Sequence, residues 1–148
     1  MYSITPIFKR RDNVQLITPQ EFADFETLIG FTLPVDYRQH MLTYNGGIAT
    51  QSDMAHKNFP LEGGGGIAYF NAIKYGSCTM EYLNVPLTGY PSGHINIGVA
   101  QGGGDFLMDL NSDTYGAIKW WFPDEDIEEL SPSFTDLLND MIEIDFGY

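Results

Sequence analysis

The amino-acid sequence predicts an α+β fold, an antiparallel meander of strands packed against helices from both ends of the chain. Two observations about pattern predict it. Residues 18–47 and 131–142 carry helix starts, apolar stripes and stops, while residues 67–122 carry short apolar runs broken by glycine, proline and Asn/Asp clusters. A third observation concerns size: the 148 residues are expected to form one domain spanning 1–148. Ten Phe, nine Tyr and two Trp supply apolar area for a core that needs no disulfide. No internal repeat is evident.

Residues 1–17 are poorly signalled; Ile4, Ile7-Phe8 and Val14 to Ile17 read as short extended segments. The first helix begins at Thr18-Pro19-Gln20-Glu21, where Thr18 caps free N–H groups, Pro19 fits the first helical position and Glu21 completes a capping box. Phe22, Phe25, Leu28 and Ile29 recur at helical spacing, and Gly30 ends the run. After Phe31-Thr32-Leu33, Pro34 starts a second helix with Asp36 in its first turn, where a carboxylate suits the helix dipole. Tyr37, Met41 and Tyr44 form its stripe with Val35 and Leu42 beside it, and Asn45-Gly46-Gly47 supplies a left-handed stop. Residues 48–66 are polar, end in Gly63 to Gly66, and read as a mobile glycine-rich loop.

Strands are expected at Ile67 to Phe70, Ile95 to Ala100, Phe106 to Leu110 and Ile118 to Phe122. Pairing Leu110 with Ile118 puts Phe106, Met108, Leu110, Ile118, Trp120 and Phe122 on one face of a hairpin. That pairing also sets Asp109 opposite Lys119 and Leu107 opposite Trp121, so the outer face gains an apolar spot that a helix or a partner must cover. Pro123 then breaks the sheet, and residues 124–129 read as a solvated loop leading to the last helix. Ser131-Pro132 opens that helix, with Phe134, Leu137, Leu138, Met141 and Ile142 at i, i+3, i+4, i+7 and i+8.

Charge narrows the function classes. The net charge is −13 and the pI near 4.2, which argues against binding nucleic acid through phosphates. Residues 1–74 hold seven acids and six bases, whereas residues 75–148 hold thirteen acids and one base, Lys119. A one-signed field of this kind steers a basic partner. One cysteine, Cys78, fits a reducing compartment. Lys9-Arg10-Arg11 follows the first apolar residues instead of preceding them, and no run nears the ~18–20 apolar residues of a membrane span, so a soluble cytoplasmic protein is expected.

Motifs for catalysis are sparse. Gly63 to Gly66 and Gly102 to Gly104 both feed strands and lack a following Gly-Lys-Ser/Thr, so they do not form a phosphate loop. Asp109-Leu110-Asn111-Ser112-Asp113 starts like a calcium loop but has Thr114 where glycine is needed and Trp120 where the glutamate is needed. His40, His56 and His94 stand at no ligand spacing from one another or from Cys78, and a Cys78–His94 nucleophile pair has no supporting motif. No Gly-x-Ser-x-Gly elbow occurs. No catalytic residue, metal or cofactor is expected.

The segment Glu26 to Gly47 carries a pattern: Glu26, Leu28-Ile29, Gly30, Leu33-Pro34-x-Asp36-Tyr37-Arg38, Met41-Leu42 and Asn45-Gly46-Gly47. It resembles the opening signature of the SUKH superfamily, the family of the yeast cell-wall synthesis regulator and many bacterial immunity proteins. Gly102 to Leu110, Ala117 to Trp121 and Ser133 to Leu138 resemble that family's later pieces in order, so the likeness covers roughly residues 18–142. It implies a compact α+β fold with no catalytic set, in which Leu33, Pro34, Asp36, Tyr37, Asn45, Gly46 and Gly47 build the scaffold. It also implies a bacterial immunity protein that neutralises a cognate toxin, often a nuclease. The chain departs from the pattern in its glycine-rich 51–66 insert and its acidic 124–129 run.

The residues read as partner-binding are Asp105, Asp109, Asp113, Asp124, Glu125, Asp126, Glu128 and Glu129, with Tyr90 and Trp121 as aromatic anchors. The expected partner is a basic toxin domain, with no nucleic acid and no membrane. A regulatory or scaffold module without a toxin partner is the alternative, and a small hydrolase or ligand-binding domain the third reading.

Overall fold

In a computed structural model, described over residues 8–12, 14–49, 54–56, 67–86, 89–100, 103–122 and 127–143, the centre is a five-stranded antiparallel sheet. Its strands are β4 (Ile67–Phe70), β5 (His94–Ala100), β6 (Asp105–Asp109), β7 (Ile118–Trp121) and β8 (Glu128–Ser131), hydrogen-bonded in that order. Two small ribbons flank it: β1 (Phe8–Lys9) pairs with β2 (Ile48–Ala49), and β3 (Met54–His56) with β9 (Met141–Glu143). The helices are α1 (Pro19–Ile29), α2 (Val35–Tyr44), α3 (Met80–Asn84) and α4 (Phe134–Asn139). The α+β expectation holds. None of these helices is long and apolar enough to cross a membrane.

The helix starts follow the sequence logic. Glu21 N–H donates to Thr18 Oγ1 at 3.1 Å and Thr18 N–H donates to Glu21 Oε1 at 3.0 Å, the reciprocal capping box. Lys74 Nζ at 2.7 Å and the Tyr75 hydroxyl at 2.5 Å also hold the Glu21 carboxylate, keeping its pKa at about 2. Phe22, Phe25 and Ile29 are buried, but Leu28 is 54% exposed and turns out of the stripe. It lines a depression of about 350 Å³ with Phe25, Asp24 and Glu81. Val35 is likewise on the surface, at 71% exposed.

The scaffold residues of α2 act as ties. Glu26 Oε2 accepts the Leu33 N–H at 2.7 Å, closing the link between α1 and α2. Asp36 Oδ2 accepts both the Thr135 N–H and its hydroxyl at 2.8 Å, joining the start of α2 to the start of α4. Tyr37 is fully buried, edge-on to Phe134, and burial drives its phenol pKa upward. Asn45 donates from Nδ2 to the carbonyls of Gln15 and Ile73, and its Oδ1 accepts the Ile73 N–H. Gly46 and Gly47 have φ of +94° and +105°, and a Cβ on either would lie 2.5 Å from the Phe70 carbonyl or 2.8 Å from that of Lys9.

Several expectations need correction. The β6–β7 hairpin pairs Met108, not Leu110, with Ile118, and Leu107 with Lys119. This two-residue shift preserves the face of each side chain but lengthens the turn, which a 3₁₀ segment at Ser112–Thr114 fills. Phe122 lies beyond β7, 38% exposed, against Gly103 and Trp120. The acidic segment does not remain a loop throughout, since Glu128 to Ser131 forms edge strand β8. The last helix is capped by Ser133 and stops at Asn139, and Met141 and Ile142 belong to β9. Within 48–66, residues 48–49 and 54–56 are strands, and the remainder lies outside the described residues, as do Asp124, Glu125 and Asp126.

The main core lies between the helices and the inner face of the sheet. Phe22, Phe25, Tyr37, Met41, Phe70, Ile95, Ile97, Phe106, Met108, Ile118 and Phe134 meet there. On the outer face Leu107 is fully buried as well, so the chain itself covers that part of the expected apolar spot, while Trp121 stays partly open.

Candidate functional site

Register decides which side chains share the outer face, because paired residues point to one side. His94 pairs with Asp109, Asn96 with Leu107, Leu107 with Lys119, Asp105 with Trp121, and Lys119 with Glu129. The face is therefore mixed, with polar His94, Asn96, Asp105, Asp109, Lys119 and Glu129 around buried Leu107 and partly open Trp121, in contrast to the apolar inner face.

Near the turn end of the hairpin the polar groups satisfy each other. Asp109 is buried, and its Oδ2 accepts from Lys119 Nζ at 2.9 Å and from the Thr114 hydroxyl. Its Oδ1 accepts the Asn111 N–H at 2.8 Å and the Asn111 amide at 2.9 Å. Burial pushes its pKa up, but Thr114, the Asn111 N–H, Lys119 and His94 outweigh it and bring the carboxyl to about 2. His94 Nδ1 lies 2.9 Å from the Ser92 carbonyl and must donate, so Nε2 accepts from Lys119 Nζ at 3.1 Å. That occupies the nitrogen a general base would need. Asp109, read from sequence as partner-binding, is thus a structural acid.

The contact expected between Asp109 and Lys119 exists, but across a diagonal of the ladder. Cys78 is exposed on another segment and shares no hydrogen bond with His94. Among the described residues no group of three His, Cys, Asp or Glu is placed to hold a metal ion.

Among the described acids expected to bind a partner, Asp113, Glu128 and Glu129 face solvent. Asp113 and Glu129 are exposed and line one shallow depression of about 380 Å³ with Tyr115 and Pro132. Tyr115 is 45% exposed, anchored by its hydroxyl to the Thr32 carbonyl. Glu128 is exposed on the edge strand, one residue away. The elements that place these groups are the 3₁₀ turn, β8 and the α1–α2 link.

At the open end of the same hairpin, Asp105, Tyr90 and Trp121 are half-buried; Asn96 bonds Tyr90 and Asp105, and Trp121 lies against Tyr90 and opposite Asp105. Desolvation raises the Asp105 pKa, and the Asn96 amide opposes part of that rise. Sequence reading did not find Asn96 or Asn84. The Asn96 N–H donates to Asn84 Oδ1 at 2.7 Å and the Asn84 amide donates to the Asn96 carbonyl at 2.9 Å. Asn84 so takes the place of a neighbouring strand beside β5, a role that depends on α3 and leaves no mark in periodicity.

The sequence of residues 16–140 matches the model of the family described as SMI1 / KNR4 family (SUKH-1), a stretch that includes α1, α2 and the whole five-stranded sheet. No curated protein matches the chain.

Proposed function

Given that this chain belongs to the SMI1 / KNR4 (SUKH-1) family, we propose that it is a non-catalytic, immunity-type protein that binds and neutralises a basic toxin domain in the cytoplasm. The observation that carries this reading is the division of its acids. Asp109 is consumed inside the fold, whereas Asp113 and Glu129 face solvent beside exposed Tyr115. Acids around an exposed aromatic form the kind of surface that attracts and then anchors a basic protein. A nuclease domain suits it best, since a cleft built for phosphates is basic. The family's protein-binding members support the same reading.

The test is to capture the partner from the native host, identify it, and assay it with and without the chain. A basic toxin domain whose activity falls stoichiometrically on addition of the chain supports the proposal. A partner that is itself acidic, or a toxin that stays active in the complex, overturns it.

A further inference from the structure

The outer face of the sheet ends in an aromatic corner. Tyr90 and Trp121 meet edge to face, with ring centroids 5.5 Å apart and planes at 75°. Both rings are partly open to solvent, and an open aromatic face offers negative quadrupole charge to a cation placed against it. Asp105 belongs to the same corner, since it is the direct cross-strand partner of Trp121. The Asn96 amide links Tyr90 to Asp105, donating to the Tyr90 hydroxyl oxygen at 3.0 Å and bonding the Asp105 carboxylate.

This corner is held rigidly from behind. Asn96 Oδ1 accepts from the Asn71 amide and the Gly98 N–H, both at 3.0 Å, and Asn84 clamps its backbone. All three lining side chains remain partly open to solvent.

Among the described residues, what the corner lacks is a cation. Lys119 is the sole base of residues 75–148 and lies on the same face, but its ammonium is engaged by Asp109 and His94. Among the described residues no Lys, Arg or His forms an ion pair with Asp105. A carboxylate half-removed from water with no counter-charge is costly to maintain, and a bound cation relieves that cost.

We propose that this corner receives the guanidinium of an arginine side chain of the protein partner, its plane against an aromatic wall and its N–H donors on the Asp105 carboxylate. Arginine fits better than lysine because its cation is planar, stacks on aromatic faces and sheds water more readily. The inference rests on the protein-binding reading and names one side chain of that contact.

The first experiment uses the full chain and N-acetyl-arginine amide, followed by the NMR signal of the Trp121 indole N–H. The expected result is a weak, saturable shift of that signal, with a smaller response to the lysine analogue. Asp105→Asn, with an unchanged pattern elsewhere in the spectrum, weakens binding at least about fivefold, equivalent to ~1 kcal/mol. By linkage, bound arginine lowers the pH at which Asp105 titrates. A Trp121 signal that does not move, or an Asp105→Asn chain that binds arginine as well as the original, overturns the proposal.

The second experiment separates this proposal from the reading beneath it. If the captured partner binds Asp105→Asn and Trp121→Leu chains undiminished while Asp113→Lys and Glu129→Lys abolish binding, the corner is refuted and the protein-binding reading stands. Loss of affinity in the first pair, with arginine binding lost in parallel, supports the corner.

Discussion

His40 sets a pH limit on the fold through a single side chain. Its ring is fully buried among Phe8, Tyr44, Phe70 and Phe134, with centroids 4.9–5.6 Å away, and its Nε2 lies 2.6 Å from the Gly46 carbonyl. Burial lowers its pKa from 6.5 to about 4, and the Gly46 carbonyl offsets only part of that. Because the folded value lies below the unfolded one, stability is full above pH 6.5 and declines as the pH falls toward 4. The loss by the lower end is about 3 kcal/mol. Urea midpoints between neutral and acid pH will show this slope, and His40→Phe will flatten it. Asp109 contributes only at lower pH, between its ordinary 3.8 and about 2. At this scale the sequence revealed the stop at Asn45-Gly46-Gly47 but not the burial of His40. A lone histidine at a helical position carries no sign of which neighbours will surround it.

Elements were legible where their signals are local. The capping box, the glycine stop and all four expected strands appear within a residue of their expected bounds. Elements that need distant partners were not. Met141 and Ile142 continue a helical stripe in sequence, but pairing with Ala55 and His56 claims them for a strand. No local pattern encodes a neighbour so far along the chain. One prediction concerns the joint between α2 and α4. Asp36→Ala is expected to cost about 2–3 kcal/mol, Thr135→Val about 1 kcal/mol, and the double variant less than the sum, because both remove bonds of one carboxylate. Chemical denaturation of the four chains checks it. A second concerns β8, which pairs with β7 alone among the described residues and carries exposed Glu128 and Glu129. Charges on an edge strand discourage pairing between molecules. Replacing both with threonine is therefore expected to drive self-association, seen as a higher mass by light scattering.

For the whole molecule, the surplus of acids in residues 75–148 becomes an uneven surface once the fold sorts them. One is spent on Lys119, one waits half-buried beside two aromatic rings, and others crowd the 3₁₀ turn and the sheet edge. Composition alone gave the sign of the field; its placement needed the register of β6, β7 and β8, which bulges and a longer turn displaced from the simplest pairing. The most direct measurement is the association rate of the chain with its captured partner across a salt series. The original chain is expected to slow by about tenfold or more between low and high salt, and Asp113→Lys with Glu129→Lys to start slow and lose most of that dependence. A rate that is the same at all salt concentrations and in both chains would contradict recognition through an acidic face.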